Sequence, residues 1–226
     1  MKQIIKRSVF LLAIILLCQC EKENNIVNIP DDNFLKALVE EGVDTDGDGL
    51  ISLNEAAAVS SLGFSGDISS LKGIEKFVYL ETLTCLSNSL TELDLQKNSS
   101  LKELTCYCSH LMTLNVSNCP ELINLRCNNN HLTFLDLSKN SKLKELRCGY
   151  TLITSIDLSH NTELEFLVIS YNHLSSLDIS SNSSLNYIDL MGMDHLFDVR
   201  VWEVPFPPDG VLIDTEGSPN IYFTVD

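Results

Sequence analysis

Asp44, Asp46 and Asp48 stand at alternate positions, and Gly49, Leu50, Ser52 and Glu55 follow them in the run DTDGDGLISLNE. This is a dense set of hard oxygen donors. A hard divalent cation takes six to eight oxygens at ~2.3–2.6 Å, and a short loop delivers them when carboxylates alternate and a glycine permits a sharp turn. Asp44, Asp46 and Asp48 supply side-chain oxygens, and Gly49 makes the turn. Leu50 adds a backbone carbonyl, Ser52 a hydroxyl and Glu55 a further carboxylate to the set. The expected cofactor is one calcium ion. A single loop of this type reads as structural, because sensors usually pair two.

The sulfur chemistry reads differently. Cys85, Cys106, Cys127 and Cys148 recur every 21 residues. A linear column of thiols cannot close tetrahedrally around zinc, and parallel side chains in register rarely present the matched Cβ vectors of a disulfide. These four read as small buried hydrophobes. Cys119 falls in a column of asparagines, and Cys108 falls outside the pattern and is expected to be an exposed thiol. His110, His131 and His173 share a column with Ser89 and Leu152. That column is open to transition-metal binding or a pH response, but its mixed composition favours a variable surface position. No G-x-S-x-G, H-E-x-x-H or phosphate-loop motif is present, so the chain is read as a non-enzyme.

The elements that must position these groups come from a repeat. Leu80, Leu101, Leu122, Leu143, Leu164 and Leu185 are spaced by 21, as are Leu83, Leu104, Leu125, Leu146, Leu167 and Ile188. Half a period away run Leu93, Leu114, Leu135, Ile156 and Leu177. Each half reads L-x-x-L-x-L, and the halves alternate at 10 and 11 residues. One such turn cannot bury its own leucines, but stacked turns share a continuous interior. Strand alternation sends Leu104 and Cys106 inward and Thr105 outward. At the ~4.8 Å strand spacing, five to six turns make a stack on the order of 25–30 Å long. The columns Asn88, Ser109, Asn130, Thr151, Asn172 and Asn98, Cys119, Asn140, Asn161, Asn182 are expected to bond turn backbone that would otherwise lack partners. The outward column Asp94, Asn115, Asp136, Asp157, Asp178 places like charges close together, and Ser117, Ser138, Ser159 and Ser180 are expected to share its hydrogen bonds.

The segment from Leu122 to Leu132, LINLRCNNNHL, resembles the leucine-rich repeat, in the bacterial form with nested half-repeats. The resemblance implies an α+β repeat solenoid: a right-handed leucine-rich-repeat coil of 21-residue period with a helical N-cap and a strand-rich C-cap. Residues 44–55 resemble the EF-hand loop, which implies that Leu50 binds through its carbonyl, Ser52 directly or through water, and Glu55 with both carboxylate oxygens. Asp31–Glu41 carries Phe34, Leu35, Leu38 and Val39 at helical spacing, and Asn54–Val59 suits an exiting helix. A helical acidic cap, then repeats, then Pro-Phe-Pro-Pro and Ser-Pro-Asn-Ile-Tyr-Phe is similar to exported repeat proteins of the Bacteroidetes type. That likeness implies a cell-envelope binding protein.

Lys2, Lys6 and Arg7 precede the apolar run Val9–Leu17, which is too short to span a bilayer and fits an export signal. The polar stretch after Cys20 makes Cys20 the lipidated residue, with Cys18 the alternative; neither follows the usual small residue. With 15 Lys+Arg against 31 Asp+Glu the formal charge is −16. Loss of residues 1–19 brings it to about −19, since three positive charges go with them. Such a balance opposes nucleic-acid binding and limits membrane contact to the lipid anchor. The organisation expected is a lipoprotein signal over 1–19, a tether over 20–28, a helical cap over 29–61, an irregular first turn over 62–79, repeats over 80–190 and a C-terminal cap over 191–226. The outward residues Tyr107, Arg126, Asn128, Arg147, Tyr150 and Tyr171 are the candidate partner-binding set, because Tyr and Arg serve as interface anchors. The function expected is a monomeric, calcium-stabilised lipoprotein of the outer membrane or cell surface that binds a protein or glycan. The alternatives are a structural or adhesive envelope protein, and an accessory subunit presenting substrate to a partner enzyme.

Overall fold

The computed structural model describes residues 25–86, 89–108 and 110–225. Two helices precede the coil: α1 (Asp32–Glu40) and α2 (Leu53–Ala58). The strands are β1 (Ser61–Ser65), β2 (Thr82–Leu86), β3 (Glu92–Asp94), β4 (Glu103–Tyr107), β5 (Thr113–Asn115), β6 (Asn124–Arg126) and β7 (Glu145–Arg147). They continue as β8 (Phe166–Val168), β9 (Ser176–Asp178), β10 (Tyr187–Asp189), β11 (Asp198–Arg200), β12 (Leu212–Asp214) and β13 (Tyr222–Thr224).

Helix α1 starts where the Asp31 carboxylate accepts the Phe34 N–H at 3.0 Å, the usual N-cap bond. It buries Phe34 and Leu38. The other Asp31 oxygen accepts Ser69 N–H (2.9 Å), Ser69 Oγ (2.7 Å) and Ser70 N–H (3.0 Å), which ties the cap to the first coil. The Phe34 and Phe64 rings meet there at 5.4 Å.

The coil builds one eight-stranded sheet, ordered β1-β2-β4-β6-β7-β8-β10-β12, with parallel pairing throughout. Leu83, Leu104, Leu125 and Leu146 are direct partners across successive strands. All are fully buried, as are Leu167 and Ile188. The opposite side carries the three-stranded sheet β13-β11-β9 and the pair β3-β5.

Two boundaries differ from the sequence reading. The first turn is regular on one side: β1 pairs with β2 at the repeat step, Leu62 opposite Leu83 and Phe64 opposite Cys85. Only its other side is irregular, formed by a 3-10 turn at Ile74–Lys76. At the far end the coil does not stop after Leu190. Ile188 pairs with Ile213, Leu177 with Val199, and Val199 with Phe223. The inserted residues lengthen the connections, so the 21-residue period is lost while the stacking of strands persists. Trp202, Phe206 and Phe223 are partly buried against the core there, with Trp202 and Phe206 edge to face at 5.1 Å.

The asparagine columns bond backbone, as the pattern predicts. Asn161 Nδ2 donates to Leu137 O (3.1 Å) and Asn140 O (2.9 Å), reaching into the preceding coil. Asn98, Asn140 and Asn182 repeat the arrangement. Cys119 substitutes with a thiol 3.4 Å from Leu95 O and 3.6 Å from Asn98 O. Asn130 and Asn172 do the same work in the other column, whose members Asn88 and Ser109 lie outside the described residues.

Cys85, Cys106, Cys127 and Cys148 are buried free thiols. Burial pushes Cys127 up to about 12. Cys108 corrects the sequence reading: it is buried, not exposed. Strand β4 runs to Tyr107, further than β6 or β7, so one more step of alternation turns Cys108 inward.

Candidate metal loop and recognition face

Among the described residues, ligand oxygens of Asp44, Asp46 and Asp48 converge to within 4.8 Å of one another. Local backbone bonds hold them. Asp44 Oδ1 accepts Gly47 N–H (2.8 Å) and its Oδ2 accepts Gly49 N–H (2.9 Å). Asp46 accepts Asp48 N–H (3.1 Å) and Asp48 accepts Leu50 N–H (3.0 Å). Gly47 and Gly49 have φ of 75° and 79°, a region glycine enters without strain.

Glu55 is placed differently. Its Oε1 accepts Thr45 N–H (2.7 Å) and Thr45 Oγ1 (2.8 Å), and its Oε2 accepts Ser52 N–H (2.8 Å) and Ser52 Oγ (2.9 Å). Ser52 also caps α2 by accepting the Glu55 N–H, which completes a capping box. The Ser52 N–H foremost, then Thr45, holds the Glu55 carboxyl down at about 2. The three aspartates therefore fit a hard cation. Glu55 fits only by sharing or releasing its four donors, and the Ser52 hydroxyl is already engaged. Leu50 is exposed at the loop's end.

The second candidate site is the outward face of the eight-stranded sheet. Strand alternation lines up three columns there. The middle column holds Thr84, Thr105, Arg126, Arg147, Val168 and Asp189. Arg126 Nε and Nη2 grip Glu145 Oε1 and Oε2 at 2.8 and 2.7 Å, the bidentate geometry a planar guanidinium favours. Arg147 Nε also donates to Glu145 Oε1. One carboxylate thus serves two guanidinium groups, and Arg126 in first place holds Glu145 down at about 2. The Arg147 guanidinium lies over the Phe166 ring, 4.4 Å from its centroid, and Phe166 stacks on Tyr187 at 4.3 Å with 9° between planes.

Tyr150 and Tyr171 form a second stack, 4.3 Å apart and 15° from parallel, with 54% and 41% exposure. Both sit at left-handed φ, 55° and 54°, in the column that continues from Asn129 at 56° to Gly192 at 62°. A Cβ on Gly192 would stand 2.4 Å from the Tyr171 ring, so the ring lies where glycine leaves room. Gly149, Val168 and Ser170 pack together beside these rings and are all buried.

Of the predicted partner set, Arg126, Arg147, Tyr150 and Tyr171 share this face. Tyr107 lies half-buried at the end of β4, and Asn128 uses its Oδ1 to accept Gly149 N–H at 3.0 Å, joining adjacent coils. Glu145, Phe166 and Tyr187 belong to the face and were missed. Their outward column was readable, but their types change from coil to coil, so periodicity alone does not mark them. The Asp94–Asp178 column is structural: Asp136, Asp157 and Asp178 each accept the N–H two residues on, from Ser138, Ser159 and Ser180. His110 and His131 meet edge to face at 6.0 Å. Cys20 lies outside the described residues. No helix among the described residues is long and apolar enough to cross a membrane.

No protein-family model matches the chain, and no curated protein matches it. Solved structures do. Internalin C2 of Listeria monocytogenes aligns over 87% of this chain and 94% of its own, at 18% identity and a TM-score of 0.62. A leucine-rich-repeat protein of Leptospira interrogans aligns over 77% of this chain and 52% of its own, at 18% identity and 0.53. The functional domain of InlJ from Listeria monocytogenes is 24% identical with a TM-score of 0.41; the chain covers 87% of itself and 62% of that domain. The likeness to the first two establishes the fold, a leucine-rich-repeat solenoid.

Proposed function

We propose that this chain is a non-enzymatic binding module of the bacterial cell envelope that takes a partner on the outward face of its eight-stranded sheet. The observation that carries the reading is the pair of tyrosines held in left-handed backbone beside an Arg–Phe–Tyr stack. Side chains other than glycine are costly in that region, and strain of this kind concentrates at functional sites. Tyr and Arg are also the residue types enriched at interface hot spots. The protein is a monomer exported through residues 1–19, lipidated at Cys20 and displayed at the outer membrane or cell surface. One calcium ion at Asp44, Asp46 and Asp48, with Glu55 recruited, stiffens the cap. A glycan partner and a purely adhesive role are the competing readings.

The test places a photo-crosslinking residue at Tyr171 of the full chain in its own host, with Tyr79, also exposed, as the control position. A discrete partner captured at 171, displaced by excess purified protein and lost in Arg147→Glu, is the expected result. Equal capture at both positions, or capture that never saturates, overturns the recognition face in favour of adhesion.

A further inference from the structure

We infer that the Arg126–Arg147 pair is an anion-reading element, and that the partner this face takes is a protein segment presenting a carboxylate between apolar side chains. The inference rests on the recognition face proposed above and names the chemistry of what docks there.

Three observations carry it. The first is a shared carboxylate. Two guanidinium groups share the single carboxylate of Glu145. The arginine side chains are 37% and 36% exposed and the Glu145 side chain only 16%. Arg147 donates to Glu145 through Nε, and among the described residues its terminal nitrogens have no hydrogen-bond acceptor, which leaves their N–H donors for a ligand. A second carboxylate would complete the cluster in the fork geometry that guanidinium groups favour. Glu145 holds the pair in place and competes for it at the same time.

The second observation is the surrounding field. The chain carries −16, and the face has acids of its own, Glu103 acting on Arg126 and Asp189 in the column of Arg147; the part-exposed guanidinium groups beside the aromatic rings are where an anion finds donors on this face.

The third concerns which class of ligand bears the anion. Sugars stack on open ring faces. Here one face of Phe166 is covered by Tyr187 and the other by the Arg147 guanidinium. Tyr150 and Tyr171 cover one face of each other, and Gly192 stands close to the Tyr171 ring. Stacking leaves ring edges for a partner, and edges suit aliphatic and aromatic side chains in offset or edge-to-face contact. Exposed Leu212 extends the Phe166–Tyr187 column toward the last coil. A peptide with apolar residues flanking an Asp or Glu matches this surface.

The probe is the peptide acetyl-Leu-Asp-Leu-Glu-Leu-amide. It is compared with its Asn/Gln counterpart and with polygalacturonate, a carboxylate-bearing glycan. Each is titrated into the full chain while the arginine Nε–H signals are followed by NMR. The acidic peptide is expected to shift Arg126 and Arg147, and the neutral peptide to bind at least tenfold more weakly. Arg147→Lys, which keeps the charge but loses the fork, is expected to weaken binding about tenfold. Glu145→Gln, which removes the internal competitor, is expected to tighten it several-fold. Equal binding of the neutral peptide, or weaker binding in Glu145→Gln with an unchanged backbone spectrum, overturns anion reading. Saturable shifts with polygalacturonate and none with the peptide overturn the protein assignment. In all of these cases capture at Tyr171 still reports separately on the recognition face.

Discussion

Calcium and the N-terminal cap make the sharpest numerical prediction. Asp44, Asp46 and Asp48 already converge, so ordering them for a cation costs little. Glu55 does not join for free, because Thr45 and Ser52 donate four hydrogen bonds to it. Releasing two of these costs about 1–3 kcal/mol at the usual net value of a hydrogen bond. That is a factor of roughly 5 to 150 in affinity, which carries a loop at the weak end of the sensor range into the 10⁻⁴–10⁻³ M range of extracellular modules. At ~5 mM calcium, ligand linkage then stabilises the fold by about 1–2 kcal/mol. For a domain of this size that raises Tm by roughly 2–8 °C. The gain stays modest because Asp31 and Phe34 hold the cap to the coil without a metal. Calorimetry of the full chain in EGTA, calcium or magnesium measures it. Asp46→Asn is expected to abolish the rise. Thr45→Ala, which removes one donor from Glu55, is expected to tighten calcium binding several-fold. No rise with calcium, or an equal rise with magnesium and no effect of Thr45, would refute the argument and leave a solvated acidic turn.

The other predictions concern the coil and its face. Asn161→Ala strips Leu137 O and Asn140 O of a buried donor; since Asn161 Oδ1 has no partner among the described residues, the net loss is about 2–3 kcal/mol in urea unfolding. Cys119→Asn replaces a weak thiol donor with two amide hydrogens in the same column and is expected to gain about 1 kcal/mol. The lowered Glu145 carboxyl contributes stability that is present above its unfolded value near 4.5 and is lost as pH falls toward about 2. Across that window wild type is expected to lose on the order of 2–3 kcal/mol relative to Glu145→Gln, and parallel acid-unfolding curves would count against it. Tyr171→Gly relieves left-handed strain of about 1–2 kcal/mol while giving up a ring stack of about 0.5–1.5 kcal/mol. Its stability should stay within about 1 kcal/mol of wild type while crosslinking on the sheet face falls.

The coil was legible because burial leaves a periodic trace. Leu104, Leu125 and Leu146 must all be apolar to lie beneath one another, and Asn140 and Asn161 set amide donors against the preceding coil where Cys119 sets a thiol, so donor or apolar type repeats wherever the interior repeats. The same logic explains what was hidden. Ile213 and Phe223 occupy inward positions of regular pairing, but insertions shift their spacing, and a reader of period 21 loses them. Cys108 looked exposed because strand length varies between coils and the pattern assumes that it does not. Glu145, Phe166 and Tyr187 are outward, where no interior demands a type, so their column reads as noise until neighbours are placed beside one another. Spacing places Glu55 at a ligand position and says nothing of its other partners. Its engagement by Thr45 depends on side-chain rotamers that spacing does not encode.

The face differs in kind from the rest of the surface, and the contrast bears on function. Along its edges the coil is laced by Lys102–Glu81, Lys142–Glu121 and Lys144–Glu165, each linking one turn to the next with both side chains about half exposed. Pairs of that sort contribute little individually and suit a solvated flank. On the sheet face the cations are arginines, less exposed, forked onto a shared carboxylate and, at Arg147, laid on a ring. A lysine ammonium would not reproduce that planar contact. The adjoining turn holds tyrosine at two left-handed positions where the same column uses glycine one coil later. A chain shaped only for stability would place glycine in that column throughout and lysine on both surfaces. Planar, pre-ordered side chains set against local strain are what an interface requires, since rigid groups lose little entropy when a partner arrives.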